Sequence, residues 1–147
     1  MRQNAGIKFF IPIYWRVWLV LVFLLLSLRF LIFQDYHEDH FFLLFTFYGV
    51  PTWIAVMILN FYAGHRLMKY LKMNHREKWD YITYMPLFGP GGVNAFRTLP
   101  FLFSKDDLSD NAVLELKNNY KSFIKLTLTI FFTFPVLFYI VMLRWGG

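Results

Sequence analysis

Cysteine is absent from this sequence of 147 residues, and its absence excludes disulfides, thiolate metal sites, a lipid-modified cysteine and cysteine nucleophiles together. Charge is scarce as well: Asp, Glu, Lys and Arg make up 16% of the chain, where soluble domains carry about a quarter. No Asp, Glu or His falls at the centre of a long apolar run, so an intramembrane proton relay or carboxylate ion path within one copy lacks its usual parts. The alternation of polar and apolar residues that marks a membrane barrel is missing too. What is present is hydrophobic: 58% apolar and 22% aromatic residues, gathered in long runs. Lipid is therefore the expected solvent, and an all-α membrane protein the expected fold class.

Three runs are long enough to cross a bilayer. The first, about Phe9 to Phe33, has an uninterrupted core bracketed by Arg16 and Arg29, whose long side chains are expected to snorkel to the head groups. A basic start and an apolar run also describe a signal peptide, but Leu28-Arg29-Phe30-Leu31-Ile32-Phe33 offers no small-x-small cleavage site, so an uncleaved anchor is expected. The second run, Phe41 to Ala63, has no formal charge in 23 residues. Only residues 34–40 separate it from the first, which predicts an antiparallel hairpin. The third extends from about Phe123 to Leu143, giving 1–64 as a transmembrane hairpin, 65–122 as an insert and 123–147 as a third transmembrane helix.

Orientation follows from cations, which resist translocation. The amino end carries Arg2, Lys8 and Arg16, the 34–40 turn has no Lys or Arg, and Arg66, Lys69, Lys72, Arg76 and Lys78 follow the second run. The expected arrangement places the amino terminus and residues 65–122 in the cytoplasm, with the 34–40 turn and the carboxyl end outside. This placement, together with anionic head groups, explains the net charge of +6 without nucleic acid.

The insert is partly helical by its pattern. Residues 65–76 mix Leu67, Met68, Tyr70, Leu71 and Met73 with cations, as an interfacial or continuing helix does. Residues 81–103 then combine Pro86, Pro90, Pro100 and a Gly/Pro-rich turn with too many aromatic side chains for a freely solvated loop. This stretch must be covered by the membrane interface, by the spans or by another subunit, and Tyr84, Phe88, Phe96, Phe101 and Phe103 are its candidate interaction residues. Ser104, with an acid three residues on, reads as a helix start, and Ser109-Asp110 as a second. From Asn111, an amphipathic helix is expected to run into the third span.

Chemistry is harder to find. No histidine lies within a span to ligate haem, and His37-Glu38-Asp39-His40 reads as an acidic solvated turn before it reads as a zinc site. Gly89-Pro90-Gly91-Gly92 lacks the Lys-Ser or Lys-Thr of a phosphate loop, and Asp106, Asp107 and Asp110 lack calcium-loop spacing. No catalytic, metal-binding or cofactor-binding residue is therefore assigned, and no cofactor is expected. Within the spans Gly49 and Pro51 in the second and Thr129 and Thr133 in the third read as helix-packing positions, Gly and Pro through close approach and kinks, the hydroxyls through bonds across helices.

A basic helix, a Gly/Pro-rich aromatic turn and Phe103-Ser104-Lys105-Asp106-Asp107-Leu108-Ser109-Asp110 leading into a last span resemble small bacterial inner-membrane proteins of the universal stress protein B type. The resemblance covers residues 65–143, and the Phe9–Ala63 hairpin has no counterpart in it. It implies a bacterial inner membrane and supplies no catalytic constellation. The expected function is a non-catalytic membrane interaction protein, an accessory subunit that meets lipid and either another membrane protein or its own copies. The alternative is an oligomeric transporter or channel component.

Overall fold

Long apolar runs cannot leave backbone amides unpaired in lipid, and helices pair them internally. The computed structural model describes residues 5–33, 38–92 and 94–142, and the side chains of 12–33, 42–92 and 94–142. Among the described residues there is no strand, and the helices are α1 (Ala5–Ser27), which continues as a π-helical segment (Leu28–Ile32), α2 (Glu38–Asn74), α3 (Arg76–Thr83), α4 (Ala95–Phe103) and α5 (Asn111–Met142). Three helices are long and apolar enough to cross a membrane, over Pro12–Ile32, Phe42–Asn74 and Asn111–Met142.

The second and third of these outrun the spans that hydropathy marks. With 37 and 32 residues, α2 and α5 are about 55 and 48 Å long, well beyond the ~30 Å of a hydrocarbon core. Residues 65–74 belong to α2, the continuing one of the two helical alternatives, and the amphipathic stretch from Asn111 belongs to α5.

The chain divides into two compact units, Met1–Ile58 with Lys125–Gly147, and Leu59–Ile124. In the first, Leu25, Leu44, Tyr48, Leu137 and Val141 form one buried cluster and Val56, Leu126 and Ile130 another, the latter flanked by Tyr14, Trp15 and Trp18. Gly49 is buried, and a Cβ there would come within 3.2 Å of the Phe134 ring, so the missing side chain permits that approach. Cross-helix polar contact comes from the Trp18 indole, which donates to the Tyr48 hydroxyl at 3.0 Å. The Thr129 and Thr133 hydroxyls instead donate within α5, to the carbonyls of Lys125 and Thr129 respectively. Pro51 is exposed.

Arg29 departs from expectation. It does not reach outward but is 4% exposed, its Nε donating to the Val141 carbonyl at 2.9 Å and its Nη1 to the Phe33 carbonyl at 2.5 Å. Phe33 caps the π-helical segment, where a carbonyl lacks an intrahelical donor and a nearby cation is favourable, and Val141 belongs to α5.

The second unit owns a core. Leu67 and Leu71 from α2, Trp79 and Ile82 from α3, Phe101 and Leu102 from α4, and Val113 and Leu116 from α5 are buried together. The four elements succeed because the two long helices lend their ends to a stretch too short to fold by itself.

Candidate interaction surface

The segment that joins α3 to α5 is built to hold apolar side chains outward. Met85 starts a tight turn: its carbonyl accepts from Phe88 N at 3.1 Å and Gly89 N at 2.8 Å, and its own amide donates to the Gly89 carbonyl at 2.9 Å. Gly89 has φ +71°, a left-handed conformation that glycine adopts without steric cost. The turn leaves Leu87 89% exposed and Phe88 79% exposed at its tip.

Asn94 then starts α4, its Oδ1 accepting from Arg97 N at 3.3 Å while its Nδ2 donates to the Tyr84 carbonyl at 2.7 Å. Along α4 the exposed residues are Ala95, Phe96, Leu99, Pro100 and Phe103, and Phe101 and Leu102 are buried. Phe96, Leu99, Pro100 and Phe103 are spaced i, i+3, i+4, i+7, which places them in one stripe. Phe96 is 94% exposed, so little of this stripe is covered within the chain. The helix is therefore apolar on two sides, one spent on the core and one on the surface.

Of the residues singled out from sequence, Tyr84, Phe88, Phe96 and Phe103 are exposed, whereas Phe101 is 5% exposed and belongs to the core. Composition does not distinguish them. The helical phase does, and it becomes readable only once Asn94 is seen to cap α4, a start that three nearby prolines conceal.

Around this segment cations lie against aromatic rings, an arrangement that favours charge near apolar surface. Arg97 lies 4.9 Å from the Tyr81 ring centroid and 5.4 Å from that of Tyr84, and its Nη1 donates to the Tyr81 carbonyl at 3.1 Å. The Phe101 ring has Lys117 Nζ at 4.3 Å and Lys78 Nζ at 5.0 Å. Lys78 also bonds Asp106 Oδ2 at 2.7 Å, and that bond is the main reason the Asp106 carboxyl titrates below its ordinary value.

Ser104 ends a helix where the sequence suggested that it begins one. Its amide donates to the carbonyls of Pro100 and Phe101, and its hydroxyl to Phe101 O at 2.7 Å. Lys117, 1% exposed, extends the closure: Nζ donates to Ser104 O at 3.1 Å, Ser104 Oγ at 3.3 Å and Asp106 O at 2.6 Å. A signal for it existed, because Lys117 falls on the same i, i+3, i+4, i+7 stripe as Val113, Leu116 and Tyr120.

The second expected helix start holds. Asp110 Oδ1 accepts from Ala112 N at 2.8 Å, while its Oδ2 takes the Tyr70 hydroxyl at 2.9 Å and His75 Nε2 at 2.8 Å. One carboxylate thus caps α5 and ties it to the end of α2. These bonds, led by that from His75, hold the Asp110 carboxyl below its ordinary value. A depressed carboxylate contributes stability that is full above the ordinary value and is lost as pH falls through the depressed one. Replacing Asp110 with Ala is expected to cost about 1–2 kcal/mol at neutral pH. It should also flatten the acid limb of a thermal-denaturation pH series, and an unaltered limb would exclude this role.

Among the described residues no group of three or more His, Cys, Asp or Glu side chains is placed to hold a metal ion. Of the sequence His37-Glu38-Asp39-His40, expected in a turn, Glu38, Asp39 and His40 begin α2 instead, and His37 and the side chains of the other three lie outside the described residues. No protein-family model, curated protein or solved structure matches the chain.

Proposed function

We propose that this chain is a non-catalytic multi-pass membrane interaction protein, an accessory subunit of a bacterial inner-membrane complex. In this reading the first two spans form a hairpin, residues 65–122 are cytoplasmic, the amino terminus is inside and the carboxyl end emerges outside. The observation that carries it is a unit with its own core that keeps large apolar side chains exposed, Met73, Tyr81 and Tyr84 as well as the α4 stripe. A folded unit that keeps Phe96 and Phe103 at its surface has a use for them outside its own fold. The bacterial setting rests on the resemblance of residues 65–143 to universal stress protein B type proteins, and the orientation on the placement of cations.

Purification in mild detergent followed by intact-complex mass measurement tests the role. A stable hetero-complex is expected, and a discrete homo-oligomer that passes ions in liposomes would replace the accessory reading with a pore. Orientation has its own test, made clean by the lack of native cysteine. Single cysteines at His37, Asn94 and Gly147 are expected to react with an impermeant reagent from outside, inside and outside respectively. Labelling of Asn94→Cys from outside would invert the topology.

A further inference from the structure

We infer that the α4 stripe and the tip of the 85–89 turn are immersed in an anionic lipid leaflet, the leaflet of the same bilayer that the chain crosses. The inference rests on the multi-pass reading above, because it needs a bilayer beside the second unit. Its apolar part is the row Phe96, Leu99, Pro100 and Phe103 with Leu87 and Phe88, all exposed. A row of this kind on a short helix, joined to a tight turn tipped by two large apolar residues, is the form of an interfacial anchor that lies in the head-group boundary.

Charge favours the leaflet over a second copy of the chain. The second unit, Leu59–Ile124, carries nine Lys and Arg against six Asp and Glu, with Arg97 and Lys105 in and beside the stripe, so it is net positive and complements phosphate head groups. A second copy would bring the same charge and pay for the match in repulsion. Tethering selects it again. The unit's two ends lie within α2 and α5, unbroken helices that contain candidate spans. Lipid is consequently always at hand, without the loss of translational freedom that a free partner must meet.

The test uses the full chain with single cysteines at Phe96, Phe88 and, as a solvated control on α3, Glu77, each carrying an environment-sensitive fluorophore. The labelled proteins are reconstituted in vesicles of phosphatidylcholine, alone or mixed with phosphatidylglycerol. Brominated acyl chains are expected to quench the Phe96 and Phe88 probes at least about twofold more than the Glu77 probe, and aqueous iodide to do the reverse. Combining Arg97→Gln with Lys105→Glu should weaken the lipid quenching in phosphatidylglycerol vesicles by roughly fivefold or more in apparent partitioning. Thermal denaturation of each variant verifies that the unit remains folded. Iodide access at Phe96 overturns the inference, as does a Phe96 probe shielded from both quenchers, which would mean that protein covers the stripe. The outcome is separable from the accessory role: a hetero-complex with an iodide-accessible Phe96 keeps that role and removes the lipid contact.

Discussion

Replacing Lys117 with methionine is expected to loosen the second unit by about 2–3 kcal/mol, and replacing it with alanine by about 3–4 kcal/mol. Methionine retains most of the buried stem and discards only the ammonium. The loss then falls on the acceptors, since the carbonyls of Ser104 and Asp106 at the end of α4 each receive a hydrogen from that amine. Removing both members of a buried polar set is often harmless, but removing one leaves the others desolvated and unpaired. Arginine is not expected to rescue, because its planar fork needs more room than a fully packed ammonium occupies. Hydrogen exchange of the full protein in detergent is the appropriate readout, with faster exchange through residues 95–117. Unchanged exchange there in Lys117→Met would show that the three bonds contribute nothing net.

That lysine also shows where sequence stops being legible. The spans are readable because hydropathy is a sum over some twenty residues and single errors cancel. The continuation of α2 to Asn74 and the start of α5 behind Asp110 are readable because periodicity and a capping residue act locally. Polar side chains inside the fold obey neither rule. Lys117 has the spacing of a core residue and the chemistry of a surface one, and its burial is explained by the carbonyls of Ser104 and Asp106, the Ser104 hydroxyl and the Phe101 ring, none of which the sequence places beside it. Ser104 misleads for a related reason: a hydroxyl beside acids resembles a helix start, yet its bond to Phe101 O closes the preceding helix. In the candidate surface, Phe96 and Phe101 are indistinguishable by composition and opposite in exposure. The phase of α4 separates them, and that phase depends on Asn94 and on a proline at position 100 that the helix accommodates.

The other large effect is expected at Arg29, where truncation to alanine should lower the stability of the first unit by about 2–4 kcal/mol. Snorkelling, the expectation from sequence, would make this residue nearly indifferent to substitution, because a guanidinium in the head-group layer exchanges one set of hydrated partners for another. The observed geometry has the opposite consequence. The side chain is buried, and it donates to Phe33 O, which follows the π-helical segment, and to Val141 O of α5. One cation thereby bonds the carbonyl that caps the π-helical segment, where the helix dipole favours positive charge, and a carbonyl of α5 far away in sequence. A lysine there presents one compact ammonium to acceptors that the fork meets from separate nitrogens, so Arg29→Lys should recover less than half of the loss. Methionine, which keeps the apolar stem, should behave nearly as badly as alanine, and that comparison assigns the cost to hydrogen bonding instead of packing. Thermal denaturation in detergent gives the magnitude, and exchange of the amides near Val141 gives the location. If Arg29→Met melts as the parent does, the guanidinium is solvated in the folded protein and the first span ends as hydropathy alone would place it.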